Sequence, residues 1–209
     1  MKKLRDAIGI LALFLFTVSF SIALVIFFTP LYKWSTVHFG IPEYLGMAKE
    51  TLFKNYHILL SYLINPWSKQ LHMPDFSSSP NGLFHFYEVK RLFLLNNITL
   101  LISGTVAAFF IQQLKKERRI WILIKPFFFM LLIPVVLLFF LLANFDRMFV
   151  LFHELAFNND AWLFDPSTDP IILALPQEFF MYCFAAAFLL LEGIFFSGYH
   201  LAKKYAFKS

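Results

Sequence analysis

Two histidines with carboxylates close by are the residues of this chain best suited to proton chemistry. His85 stands three positions before Glu88 in HFYEVKRLF, so on a helix the two share a face, and Lys90 and Arg91 follow. His153 is followed directly by Glu154, then by Asn158, Asn159, Asp160 and Trp162, in FHELAFNNDAWLFDPSTDPIILALPQEFF, Phe152 to Phe180. Imidazole is matched to proton transfer near neutral pH, and a neighbouring carboxylate fixes its tautomer and stabilises the imidazolium. A single histidine at a membrane boundary is ordinarily an amphipathic bystander. Two of them, each beside a carboxylate and on elements that emerge together, give an acid–base site equal standing. His85 and His153 are therefore candidate catalytic residues, with Glu88, Lys90, Glu154, Asn159, Asp160 and Trp162 in support. Asp160 follows Asn158 and Asn159 in a loop that can turn its side chain toward His153.

Other chemistries find less to work with. His85, His153 and a carboxylate could hold zinc, but no HExxH or comparable ligand spacing is present, and no metal site is assigned. There is no GxSxG nucleophile elbow, and the one cysteine, Cys183, falls within an apolar run, so neither a disulfide framework nor a confident thiol nucleophile is available. No cofactor is expected. Asp165-Pro166, Asp169-Pro170 and Pro176-Gln177-Glu178 read as turn and helix-start signals.

The elements that must position these residues are set by composition. Of 209 residues, 59% are hydrophobic and 15% charged, and thirty are Phe, which places the chain among membrane proteins. The fold class expected is all-α: one integral membrane domain over residues 1–209, with spans at about 7–29, 92–114, 120–145 and 179–201. A cleaved signal peptide is not expected, because the first apolar run is too long and no Ala-x-Ala site follows it. Lys and Arg gather at Lys2, Lys3 and Arg5, in the Lys115–Arg119 hairpin, and at Lys203, Lys204 and Lys208. The net charge of +5 thus encodes topology rather than nucleic-acid binding: both termini are expected in the cytoplasm. The loops 30–91 and 146–178 then face outward together, bringing His85 and His153 to one outer interface.

Within loop 30–91, Leu45, Ala48, Leu52, Tyr56, Leu59 and Leu63 recur at helical spacing, with Lys49, Glu50, Lys54, Asn55, His57 and Ser61 on other faces. That pattern predicts an amphipathic helix lying in the membrane interface, or packed in a small domain. It ends near Asn65-Pro66. Gly104 with Ala108, and Gly193 with Ser197, have the small-xxx-small spacing of close helix contacts. Glu192 lies well inside the last span, where Lys125 is the expected partner.

HFYEVKRLF and the Phe152–Phe180 run resemble the two signatures of the lipoprotein intramolecular transacylase family, Lit, of low-GC Gram-positive bacteria. The resemblance extends to Asn65-Pro66-Trp67 and the four-span plan, covering essentially the whole chain. It implies a cell-membrane acyltransferase that moves the sn-2 acyl chain of a diacylglyceryl lipoprotein to the α-amino group of its own N-terminal cysteine, giving a lyso-form lipoprotein. A diacylated lipoprotein and membrane lipid are the implied partners, and His85 and His153 the implied catalytic residues, acting at the outer leaflet. Amine and ester then belong to one molecule, so proximity supplies much of the rate and no enzyme nucleophile is obligatory. His153, oriented by Asp160 or Glu154, would be the base, and His85, supported by Glu88 and Lys90, would serve the oxyanion or leaving group; the roles could be exchanged. A lipid or lipoprotein ester hydrolase, and a non-catalytic lipid-binding membrane protein, are the alternatives.

Overall fold

The computed structural model describes residues 2–206; Lys208, used above to orient the chain, lies outside them. All regular structure among the described residues is helical. The order is α1 (Lys2–Phe27), α2 (Thr29–His38), α3 (Ile41–Leu45), α4 (Lys49–Ile64), α5 (Pro80–Lys116), a 3-10 turn at Ile120–Leu123, α6 (Ile124–Ala143), α7 (Phe145–Ala156), α8 (Ile171–Ala174) and α9 (Gln177–Ala206). Helices α1, α5 and α9, and α6 with the turn before it, are long and apolar enough to cross a membrane. The chain divides into two compact units: one holds α1, α5 from Asn96 onward, α6 and α9 from Phe184 onward; the other holds residues 28–95 and 144–183.

In the first unit the helices meet where one side chain is missing. A Cβ on Gly9 of α1 would stand 2.2 Å from Cγ of Phe110 on α5, and one on Gly198 of α9 would stand 2.8 Å from the ring of Phe127 on α6. Gly104 backs onto Phe16 at 3.0 Å, as its spacing suggested, but a Cβ on Gly193 would meet nothing within 4 Å. The close approach on α9 is therefore made one residue beyond Ser197. Ala12, Leu13, Ala107, Phe110, Leu114, Leu123 and Ala202 fill the space between. At one end, Arg5 donates to both oxygens of Glu117 at 2.8 Å, and Arg119 donates to Glu117 at 2.9 Å and to Asp6. Glu192 and Lys125 form no ion pair among the described residues; Oε2 of Glu192 is buried there without a hydrogen-bond partner.

The second unit has a core of its own. The amphipathic helix read from the sequence is α4, without Leu45, which ends α3, and Ala48, which precedes the first turn; its apolar side, Leu52, Leu59, Tyr62 and Leu63, packs with Tyr32, Phe86, Ile171, Ala174 and Phe179. Tyr32 and Tyr56 stack with ring centroids 3.8 Å apart. Asn55, expected away from the apolar side, is instead fully buried on α4: it donates to the carbonyl of Thr51 at 2.8 Å and to Oδ2 of Asp75 at 2.7 Å, so its amide is not stranded in the core.

Two helix starts matter most for the site. The helix expected to carry His85 and Glu88 on one face is α5, and it begins at Pro80, ahead of the span expected from residue 92, because Ser79 acts as its N-cap, accepting from the amide of Gly82 at 3.0 Å, and proline suits the first helical position. The third span stops at Ala143, and Asn144 caps a new helix, α7, by accepting from the amide of Arg147 at 3.2 Å. The expected loop 146–178 is thus helical over its first part. Gly9→Ala is expected to lower the thermal midpoint of the detergent-solubilised protein through overpacking worth about 1–3 kcal/mol. Gly193→Ala, which fills open space, is expected to leave that midpoint in place.

Candidate active site

His85 and His153 come together within the second unit. Both are buried, each 8% exposed, with ring centroids 5.8 Å apart. His85 is carried by the early turns of α5 and His153 by the last turn of α7. Aromatic rings supply most of their surroundings. Phe157 and Phe164 meet His85 edge-on at 4.8 and 5.4 Å, and Phe149 lies 4.2 Å from His153.

The tautomer of His153 follows from its polar contact among the described residues. Nδ1 lies 2.7 Å from the carbonyl oxygen of Phe149, one helical turn earlier. A carbonyl oxygen only accepts, so Nδ1 carries the hydrogen and Nε2 keeps its lone pair. Burial pushes the imidazole below its ordinary range, and the Phe149 carbonyl partly opposes that shift. His153 therefore rests neutral with Nε2 ready to take a proton. Nδ1 of His85 is buried and makes no hydrogen bond among the described residues, leaving a ring nitrogen unsatisfied inside the aromatic cluster.

The supporting residues separate into those that reach the pair and those that do not. Trp162 stacks on His153 with centroids 4.7 Å apart and planes 29° from parallel. Asn159 uses both ends of its amide: Nδ2 donates to the two oxygens of Glu88 at 3.0 and 3.1 Å, and Oδ1 accepts from the amide of Ala161 at 3.0 Å. Glu88 thus holds the loop that carries Trp162 and is not hydrogen-bonded to His85. Glu154 and Asp160 are exposed and neither hydrogen-bonds His153. The reason is geometric: successive residues on a helix point about 100° apart, so Glu154 faces away from its neighbour. Lys90, five positions beyond His85, likewise points elsewhere. Its buried ammonium donates to the carbonyl of Ser68 and lies 4.3 Å from the ring centroid of Tyr62, tying α5 to the segment after α4.

Several residues that build the site were not singled out for it. Asp169, read above as a turn former, is 2% exposed; its Oδ1 accepts from the amide of Ser79 at 2.8 Å, and Oδ2 accepts from Thr168 Oγ1 at 2.8 Å. It anchors the start of α5 to the segment after Trp162. A Cβ on Gly82 would stand 2.0 Å from that Oδ1. Ser-Pro at 79–80 was the available signal for this helix start, and Phe149, four residues before His153, the available signal for its carbonyl partner. Among the described residues no three His, Cys, Asp or Glu side chains gather as metal ligands.

The chain matches the family model described as lipoprotein intramolecular transacylase Lit over residues 7–180. It is similar to the solved structure of a membrane-integral lipoprotein intramolecular transacylase Lit from Bacillus cereus, with 30% identity, a TM-score of 0.95, and coverage of 100% of this chain and 97% of that one. Structures of the Bacillus cereus protein with an H85R or an H85A mutation are 29% identical, each with a TM-score of 0.86, and cover all of this chain and 93% and 94% of theirs. No curated relative matches.

If Asp169 anchors the start of α5, Asp169→Ala is expected to speed amide hydrogen exchange over residues 79–85 while leaving the middle of the helix protected. The loss of a capping acceptor is worth about 1 kcal/mol, roughly a fivefold increase in local opening. Unchanged protection across that turn would count against the anchor.

Proposed function

The chain belongs to the lipoprotein intramolecular transacylase family, and we propose that it moves the sn-2 acyl chain of a diacylglyceryl lipoprotein to the α-amino group of the same molecule's N-terminal cysteine. The observation that carries the reading is the buried His85–His153 pair, with Nε2 of His153 as the free acceptor. The neutral amine attacks the sn-2 ester carbonyl and His153 takes the proton it sheds. The carbon–oxygen bond to glycerol then breaks, and the proton taken by His153 passes to the departing oxygen through His85, which accepts it on one ring nitrogen as it gives up the hydrogen of the other. An amide and a free sn-2 hydroxyl result, and both imidazoles end neutral, as they began. Neither step requires an acyl-enzyme, because nucleophile and ester arrive in one molecule. The aromatic walls exclude water that would otherwise compete with the amine.

The basic residues at Lys2, Lys3, Arg5, Lys115, Lys116, Arg118, Arg119, Lys203 and Lys204 support an orientation with both termini in the cytoplasm. The His pair then works at the outer leaflet of the bacterial cell membrane, where a lipoprotein presents its glyceryl esters.

His85→Ala and His153→Ala are each expected to lower N-acyl transfer by about 100-fold to 10,000-fold, the range of a lost acid–base group. Mass spectrometry of the N-terminal lipopeptide checks this in cells whose membranes contain the inserted variant. Conversion that persists in both would overturn the mechanism, and a lyso product lacking the N-acyl group would identify a hydrolase. The attacking α-amine must also be neutral, and its ordinary pKa is about 7.7–8.0, so the rate should fall on acidification in two steps. A base works only when neutral, and burial lowers the pKa of His153, so the lower step should lie below the ordinary imidazole value of about 6.5. A lower step that survives in the residual activity of His153→Gln would contradict this assignment.

A further inference from the structure

The buried pair leaves one need unmet: when His153 accepts a proton, an imidazolium forms in a pocket where no carboxylate touches it. Among the described residues its polar contact is the Phe149 carbonyl. The elements that carry its neighbours bear the other charged and titratable groups: His85 and Glu88 on α5, Asp146, Arg147 and Glu154 on its own helix, Asp160 in the loop, and Glu178 at the start of α9, which packs on Phe149 through Phe180. Of these titratable groups His85 alone has a ring contact with His153, and it brings no negative charge.

We propose that Trp162 is a positioning residue for His153 whose stacked indole face stabilises the imidazolium, and that Glu88 acts at one remove, through Asn159, by holding that indole in place. The proposal rests on the reading of His153 as the proton acceptor. The stack is close and near parallel, 4.7 Å and 29°. The imidazole cannot turn away, because Nδ1 is tied to the Phe149 carbonyl at 2.7 Å. Of the aromatic side chains, indole presents the face most attractive to a cation, and the attraction grows when water is excluded.

Trp162 has no helix to fix it, since α7 ends at Ala156 and α8 begins at Ile171. Its position is set instead by a short relay. Glu88 on α5 accepts from Asn159 with both oxygens, and Asn159 accepts from the amide of Ala161, the residue immediately before Trp162. Two turns close the far side: the amide of Leu163 donates to the carbonyl of Asp160 at 3.1 Å, and that of Phe164 to the carbonyl of Trp162 at 3.1 Å. An acidic residue three positions from one histidine thus sets the surroundings of the other. That gives Glu88 a role in the site without a hydrogen bond to either imidazole among the described residues.

The test uses full-length protein in lipid nanodiscs, labelled with 15N-histidine, with the His153 resonance identified by its absence in His153→Gln. Trp162→Leu is expected to lower the titration midpoint of His153 by about half a unit to one unit. Trp162→Phe should recover part of the shift. Asn159→Ala and Glu88→Ala should shift it in the same direction, and Trp162→Leu combined with Glu88→Ala should go no further than Trp162→Leu alone, because both act through one stack. An unchanged or raised midpoint in Trp162→Leu would overturn the proposal, and if that variant does not fold, an unchanged midpoint in Trp162→Phe and in Asn159→Ala would do so. The titration is read on resting protein without substrate, so it stands apart from whether His153→Gln abolishes transfer. As a second readout, Trp162→Leu should lower kcat about tenfold with KM little changed.

Discussion

An imidazole taken out of water with no carboxylate against it stays neutral, and the arrangement around His85 and His153 follows from that constraint. A buried salt bridge would have kept one ring charged and closed its lone pair to substrate. Here the polar contact of His153 is a backbone carbonyl, which fixes the tautomer without adding charge, and the remaining contacts are aromatic. The carboxylates nearby are either turned outward, as Glu154 and Asp160 are, or occupied by an amide, as Glu88 is. Such an arrangement keeps an uncharged ring nitrogen of His153 open beside a second imidazole.

Rigidity is supplied from several places. α5 carries His85 from a start fixed by Ser79 and Asp169, while Lys90, on another side of the same helix, fastens it to the segment after α4. α7 carries His153 from a start fixed by Asn144. The loop between α7 and α8 holds its shape through side chain to backbone bonds at Asn159 and Asp165. Glu88, Asn159, Lys90 and Asp169 hold the segments in place, and the rings and main-chain groups between them define which nitrogen of His153 is left open.

The membrane character, the four spans and the meeting of the two histidine-bearing segments were all legible, because hydropathy and charge asymmetry report on long stretches and tolerate local error. Partners were not. Glu88 shares a helix face with His85, which suggested a dyad, yet an asparagine 71 positions away claims the carboxylate. Lys90 follows His85 closely in sequence and is rotated away from it by the helix. The helix carrying His153 was hidden because the apolar run before it continues to Phe145, and one well-placed asparagine ends the span inside that run. Side-chain pairing across a loop depends on the path of the backbone, and periodicity carries no record of that path.

Gly82 fixes a direction as well as a distance. It lies three residues before His85, so the two positions differ by about 60° around the axis of α5. Because only a hydrogen fits against Asp169, the helix has one rotational phase in which it can dock, and that phase aims the imidazole. Bulk at position 82 would spoil the fit, but a single residue gained or lost between 82 and 85 would leave the docking contact whole and swing the ring by about 100°, out of reach of its partner. Spacing within this one turn is therefore under tighter constraint than the identity of the exposed residues it contains.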